Sequence, residues 1–318
     1  SLISLGMVAN VFYNLFSSYL RAVGNSRMPL VFLVLSACLN VVLDLILIIN
    51  FKMGVAGAAW ATNLSQAISA VLCAVYIYKK VPALMPEKRH WRFHKGDTRY
   101  QLATGIPMAL QFAITSSGTM VMQSAINLFG SEAVAAYTAA GKIHGLLTQG
   151  MVAMGQTMAV YSGQNYGKGD AGRIRQGVRA ALIIEVIYSV ASAVVVSAAL
   201  GPSLGLFFSG EVDLAAMMPW ARTYTTICTL FYVPICTIFI FRNTMQGCGY
   251  GFLPMMGGVV ELAARLIVAV IAMDIHSYWL ACACDPAAWV GAGLFTGISY
   301  LYVIKKIEKN LGKGTAVH

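Results

Sequence analysis

The chain is short of charge. Asp, Glu, Lys and Arg together make up 11% of its 318 residues, 58% are hydrophobic, and the mean hydropathy is +0.70. A soluble globular chain carries roughly twice that charged fraction, because it must cover itself with polar surface. Alternating polar and apolar residues are missing too. Apolar stretches of about twenty residues run continuously, which excludes a membrane barrel and fits helices crossing a bilayer. Catalytic signatures are absent: there is no H-E-x-x-H, no paired catalytic aspartate and no nucleophile elbow, so an enzyme is not expected. "GQNYGKGD" (163–170) fails as a phosphate loop, since Ser162 stands where its first glycine belongs and Gly169 where Ser or Thr should follow Lys168. It reads instead as a glycine-capped helix end. No organic cofactor is expected. The opening "SLISLGMVAN" has no initiator methionine and no basic segment before a cleavage site. It reads as a start inside a helix.

Seven cysteines are present, and Cys38, Cys73, Cys228 and Cys236 fall in apolar runs, where buried free thiols are expected. Cys282 and Cys284 fall in an expected external loop, with neither metal spacing nor a redox C-x-x-C.

Nine spans are expected, at about 1–20, 29–50, 55–78, 100–128, 139–163, 176–200, 218–245, 253–274 and 286–304. Placing the loops on alternate sides sorts the 22 Lys and Arg. Lys52, Lys142 and Arg222 fall on one side, Arg265 lies within a span, and all the others, Arg242 included, fall on the opposite side. Basic residues accumulate on the cytoplasmic face, so the C-terminus is expected there, in the cell membrane. The net charge of +10 is then topology, and nucleic acid is not an expected partner.

A repeat is visible. "FSSYLRAVGNSRMPLVFLV" (16–34) matches "FRNTMQGCGYGFLPMMGGV" (241–259), with Phe16, Gly24, Pro29 and Val34 against Phe241, Gly249, Pro254 and Val259, all at one offset of 225. The first span then maps onto the seventh, so one repeat holds six helices and an even count keeps both copies in the same orientation. The expected architecture is all-α: two six-helix lobes related by a parallel repeat, with nine of twelve transmembrane helices present. Residues 1–78 would be the remainder of the N-lobe, 79–99 a cytoplasmic linker, and 100–318 the C-lobe with a short tail. Within the linker, 87–99 also reads as an amphipathic helix on the lipid surface, anchored by Trp91.

One acid stands out. In "LNVVLDLILI" (39–48), Asp44 interrupts an apolar run, and nothing basic lies between Met28 and Asn50. Asn40 and Ser36 share its helix face. The next span brings a polar patch of Thr62, Asn63, Ser65 and Gln66. An ionisable residue at membrane depth is costly and lines a cavity or ion path. Asp44 could bind a proton, or Na+ with neutral oxygens from Asn40 and Thr62. The bland alternative is a carboxyl satisfied purely for packing.

"YLRAVGNSRMPLVF", "CLNVVLDLI", "GVAGAAWAT", "GSEAVAAYTAAGKI" and "YSGQNYGKGDAGRIRQGVR", in this order and spacing, resemble the multidrug and toxic compound extrusion (MATE) family. The resemblance implies twelve helices in two lobes. In one branch of that family an Asn and an Asp four apart, with a Thr on the next helix, belong to the cation-coupling cluster; Asn40, Asp44 and Thr62 match those positions. A further Asp of that cluster belongs to the family's first helix, which this chain lacks. Another branch places an acid on the first C-lobe helix; "GIPMALQFAITSSGTMVMQSA" contains none.

That segment does carry Gln111, Thr115, Thr119 and Gln123 at spacing four, a row for cavity lining or interhelical hydrogen bonds. Glu261 and Arg265, four apart, read as a self-neutralising pair or a gate, and Glu185 is a lone acid ranked below Asp44. Methionines such as Met120 and Met151 suit promiscuous apolar ligands or plain packing. The expected function is a secondary antiporter, a monomer in the lipid bilayer, exporting amphipathic or cationic organic compounds in exchange for H+ or Na+. The alternative is a lipid-linked oligosaccharide flippase of the same superfamily.

Overall fold

A computed structural model describes residues 2–87, 92–207 and 214–312. These residues are almost wholly helical and contain no strand. They divide into two compact units, Ser1–His94 and Lys95–His318.

The first unit holds α1 (Leu2–Ala22), α2 (Arg27–Asp44) and α3 (Gly54–Lys80). α3 packs along both α1 and α2, which barely touch one another. Its apolar core gathers Tyr13, Leu20, Phe32, Ala70, Cys73 and Ile77 at the end where α1 turns into α2. Tyr13 donates to the Pro29 carbonyl at 3.1 Å and Ser69 to that of Phe32 at 3.3 Å, fixing that end. The sequence predicts one regular helix over 29–50. Instead the last turn, Leu45–Asn50, is π-helical, and the Phe51 N–H reaches back five residues to the Ile46 carbonyl at 3.1 Å. Such wide turns are rare and concentrate at functional sites.

The second unit runs α4 (Lys95–Ile126), α5 (Gly130–Lys168), α6 (Ala171–Phe207), α7 (Leu214–Leu230), α8 (Tyr232–Gly247), α9 (Phe252–Asp274), the short α10 (Tyr278–Cys282) and α11 (Cys284–Gly312). α8 packs against α5, α6 and α11, and α9 against α4 and α11. The single span expected over 218–245 is bent by 50° between α7 and α8. Pro234 explains the break: it has no N–H for the Leu230 carbonyl, and its ring crowds that carbonyl.

The repeat is present in the backbone. Gly24 and Gly249 both adopt left-handed φ, +85° and +83°. Around them the same two hydrogen bonds close each turn: Gly24 N–H to Arg21 O at 3.0 Å with Asn25 N–H to Leu20 O at 2.9 Å, against Gly249 N–H to Gln246 O at 2.9 Å with Tyr250 N–H to Met245 O at 3.0 Å. This is the glycine C-cap that ends a helix sharply. The helices that follow, α2 and α9, begin at equivalent residues, Arg27 and Phe252.

Five described helical stretches are long and apolar enough to cross a membrane: 27–50, 54–80, 171–205, 252–274 and 284–310; the bent α7–α8 pair makes a sixth. α1, α4 and α5 reach spanning length, at 21, 32 and 39 residues, without meeting that apolarity. Polar positions along them, such as Asn10, Asn14, Gln111 and Gln123, dilute their hydropathy. The chain is a multi-pass membrane protein.

Three further expectations are corrected. Residues 95–99, read as linker, form the first turn of α4. No amphipathic helix spans 87–99, because Glu87 and 92–94 are non-helical; Trp91 lies outside the described residues. Cys282 and Cys284 are buried at α10 and α11 rather than in an open loop, whereas Cys38 is exposed.

Candidate cation-coupling site

Asp44 is the last residue of α2, immediately before the π-helical turn. Its Oδ1 is buried and makes no hydrogen bond. Asn40, one turn earlier on the same face, brings its Nδ2 to 3.5 Å from Thr62 Oγ1 on α3. The Thr62 hydroxyl donates to the Ala58 carbonyl at 3.0 Å, so on the Asn40 side its oxygen acts as an acceptor. Ser36 continues the face and is buried.

The expected polar patch on α3 separates, because helical positions diverge by about 100° per residue. Thr62 faces Asn40. Asn63 turns toward α1, where a Cβ on Gly6 would overlap its carboxamide oxygen. Ser65 is buried and donates to the Thr62 carbonyl at 2.9 Å.

A buried carboxylate oxygen without a donor is costly. A bound proton or a hard cation would relieve that cost, and the Asp44, Asn40 and Thr62 side chains all carry oxygens of the kind hard cations take. No cluster of His, Cys, Asp and Glu with metal-binding arrangement occurs among the described residues.

The second unit treats its charges differently. Glu261 is bonded by two arginines at once: Arg242 Nη2 at 3.0 Å from Oε2 and Arg265 Nη2 at 3.0 Å from Oε1. Arg265 Nε then reaches Asp285 Oδ1 at 2.7 Å. The four residues tie α8, α9 and α11 into a buried network of zero net charge. The i, i+4 pair expected from the sequence is thus half of a larger unit. Arg242, assigned by the charge count to the side rich in Lys and Arg, is buried in α8. Gly118 on α4 makes room for this network, since a Cβ there would sit 2.8 Å from Arg265 Nη1.

The polar row on α4 does not act as one surface. Gln111 is buried and accepts from Gln246 Nε2 at 2.8 Å, and Thr115 Oγ1 is buried with no partner. Thr119 is exposed and donates to the Ser116 carbonyl at 2.7 Å; Gln123 donates to Asn127 Oδ1 at 3.0 Å. Spacing four advances the helix by about 40° per step beyond a full turn, so the row winds off the buried face.

Sequence reasoning missed Arg242 and Asp285 as partners, the π-helical turn and the role of Gly118. Pro234 was the sequence feature that could have signalled the break between α7 and α8.

Two family models match. The MatE model covers residues 107–271, just over half of the chain, and the lipid II flippase MurJ model covers residues 1–134. The chain is 29% identical over 298 residues to a probable multidrug resistance protein, YpnP, of Bacillus subtilis (strain 168), covering 91% of this chain and 62% of that protein. It is 25% identical over 288 residues to the probable multidrug resistance protein NorM of Thermotoga maritima, covering 87% of this chain and 58% of that one. The chain thus spans about three-fifths of the length of these two relatives. Among solved structures, a MATE protein in complex with MaD5 superposes with a TM-score of 0.87 at 20% identity, covering 97% of this chain and 68% of that one. A MOP superfamily transporter from Pyrococcus furiosus superposes at 0.82 and 21% identity, covering 98% and 68%. These likenesses establish the fold.

Proposed function

The chain belongs to the MatE family of transporters, and on that premise we propose that it serves ion-coupled export of small amphipathic or cationic organic compounds, with H+ or Na+ entering in exchange. The observation that carries this reading is the buried, unpartnered Oδ1 of Asp44, one helical turn from the Asn40 that bonds Thr62. An exchangeable ion needs a site that nothing in the protein already fills. The family relationship and the multidrug-resistance relatives support the substrate class.

The MurJ match over residues 1–134 raises the flippase reading. A cavity for a diphosphate-linked lipid calls for uncompensated basic groups. The two buried arginines of the spans, Arg242 and Arg265, are instead matched by Glu261 and Asp285, which favours organic-compound export.

The test uses the full-length protein in a pump-deficient host. Asp44→Asn preserves size and hydrogen bonding but cannot titrate. Gradient-driven export is expected to fall to background while membrane insertion and quantity are unchanged. Export at the wild-type rate with its pH or Na+ dependence intact would reduce Asp44 to a packing residue.

A further inference from the structure

Glu185 lies in the middle of α6 and is only 3% exposed. Its neighbours on the outer face, Ile183, Ile184 and Ile187, are exposed and apolar, so the carboxyl sits just behind a hydrophobic surface. One side chain reaches it. Cys236 on α8 places its Sγ 3.0 Å from Glu185 Oε2 and 3.0 Å from the hydroxyl of Ser189, one turn along α6. All three are buried.

Three charged or titratable groups on these helices have partners of their own. Arg242, six residues beyond Cys236 on α8, is bonded to Glu261. His144 of α5 pairs with Tyr232 at 2.9 Å. Arg175, toward one end of α6, pairs with Glu308 of α11. Among the described residues, the side-chain hydrogen bond recorded for the Glu185 carboxyl is the one to Cys236.

An ionised carboxylate buried with a single thiol donor and no cation is strongly disfavoured; neutralising it by a proton removes most of that cost. The protonated acid also uses the site better. Its O–H donates to Cys236 Sγ, and the freed thiol S–H donates to Ser189 Oγ, so both short contacts are satisfied. Loss of the proton reverses the first bond, with the thiol donating to the carboxylate. We propose that Glu185, Cys236 and Ser189 form a proton-binding site in the second unit, occupied at neutral pH and independent of Asp44. The bound species is a proton, exchanged without any redox step.

The test is infrared spectroscopy on the full-length protein in lipid. The wild-type-minus-Glu185→Gln difference at neutral pH should contain the carbonyl band of a protonated carboxylic acid, and Asp44→Asn should leave that band in place. Cys236→Ala removes the hydrogen-bond partner and should shift the band to higher frequency. Carboxylate bands in the difference at neutral pH would overturn the proposal. A band that Asp44→Asn removes would overturn the independence of the two sites, and a band unmoved by Cys236→Ala would overturn the role of the thiol. Because the readout is a protonation state and not export, it stands or falls separately from the coupling role of Asp44.

Discussion

The turns at Gly24 and Gly249 share their backbone geometry, yet the helices leaving them carry opposite electrostatic designs. At the offset of 225, Ser17, Ser36, Asn40 and Asp44 of the first unit correspond to Arg242, Glu261, Arg265 and Ala269 of the second. In the second unit three of those positions form a bridged ion network, and the position equivalent to Asp44 is an alanine. In the first unit the same three are neutral polar residues, and the charge at the fourth position is an acid whose inner oxygen has no partner. One frame therefore supports two uses. Charges that neutralise one another internally hold helices together and leave nothing for an ion to bind. A single unmatched acid does little for cohesion, and under the proposed function its unpartnered oxygen is where an exchangeable cation would bind.

The sharpest way to break this comparison is to remove the bridging acid. Glu261→Ala leaves Arg242 and Arg265 buried with half their compensation, and stranding a buried charge costs on the order of 3–5 kcal/mol. Thermal unfolding in detergent should show a large loss. Asp44→Asn should not destabilise the protein, because no pairing is lost there and the cost of an unpartnered buried carboxylate oxygen is removed. Comparable losses from the two variants would end the distinction between a structural and an exchangeable site.

A smaller effect is expected at Gly118. A methyl group there would press on Arg265 Nη1 at 2.8 Å and on its Cδ at 3.2 Å, and that guanidinium is held by Glu261 and Asp285. Overpacking of this kind costs about 1–3 kcal/mol. Gly118→Ala should therefore destabilise the protein, and the loss should shrink in an Arg265→Met background where the obstructed group is gone.

How much of this was readable beforehand depends on range. Asn40 and Asp44 announce themselves because four-residue spacing is local and a charge in an apolar run is conspicuous. The repeat is visible because glycine at a left-handed turn and proline in the first turn of the next helix are demanded by backbone geometry alone. Asp285 was not readable as a partner: it lies 20 residues from Arg265, and only the packing of α11 on α9 joins them. Arg242 was not readable as a partner of Glu261 because a charge count knows where a residue falls in sequence but not which way its helix turns it. The π-helical turn "LILIIN" has the same apolar content as a regular helix, so composition carries no sign of it. The α7–α8 bend had a visible cause in Pro234, and the hydrophobicity of 218–245 masked it.

The comparison between the repeats can be sharpened at its origin, the two glycines. At Gly24 an added Cβ would meet nothing within 4 Å, so Gly24→Ala isolates the cost of holding an alanine at φ +85°, about 1–2 kcal/mol. Gly249 has nearly the same φ, but its Cβ would run into the Tyr100 hydroxyl, with the ring carbon Cζ at 3.0 Å. Tyr100 is 56% exposed and can swing outward, so the added cost is modest. Thr104, one turn further along α4, sets its hydroxyl 3.5 Å from the Gly249 carbonyl and limits how far the segment can retreat. Gly249→Ala should therefore be more destabilising than Gly24→Ala by some fraction of the roughly 1–3 kcal/mol typical of overpacking. Adding Tyr100→Ala should remove the difference by opening the space. If Gly24→Ala proves the costlier of the two, the turns share their dihedral angles but not the energetics inferred from them.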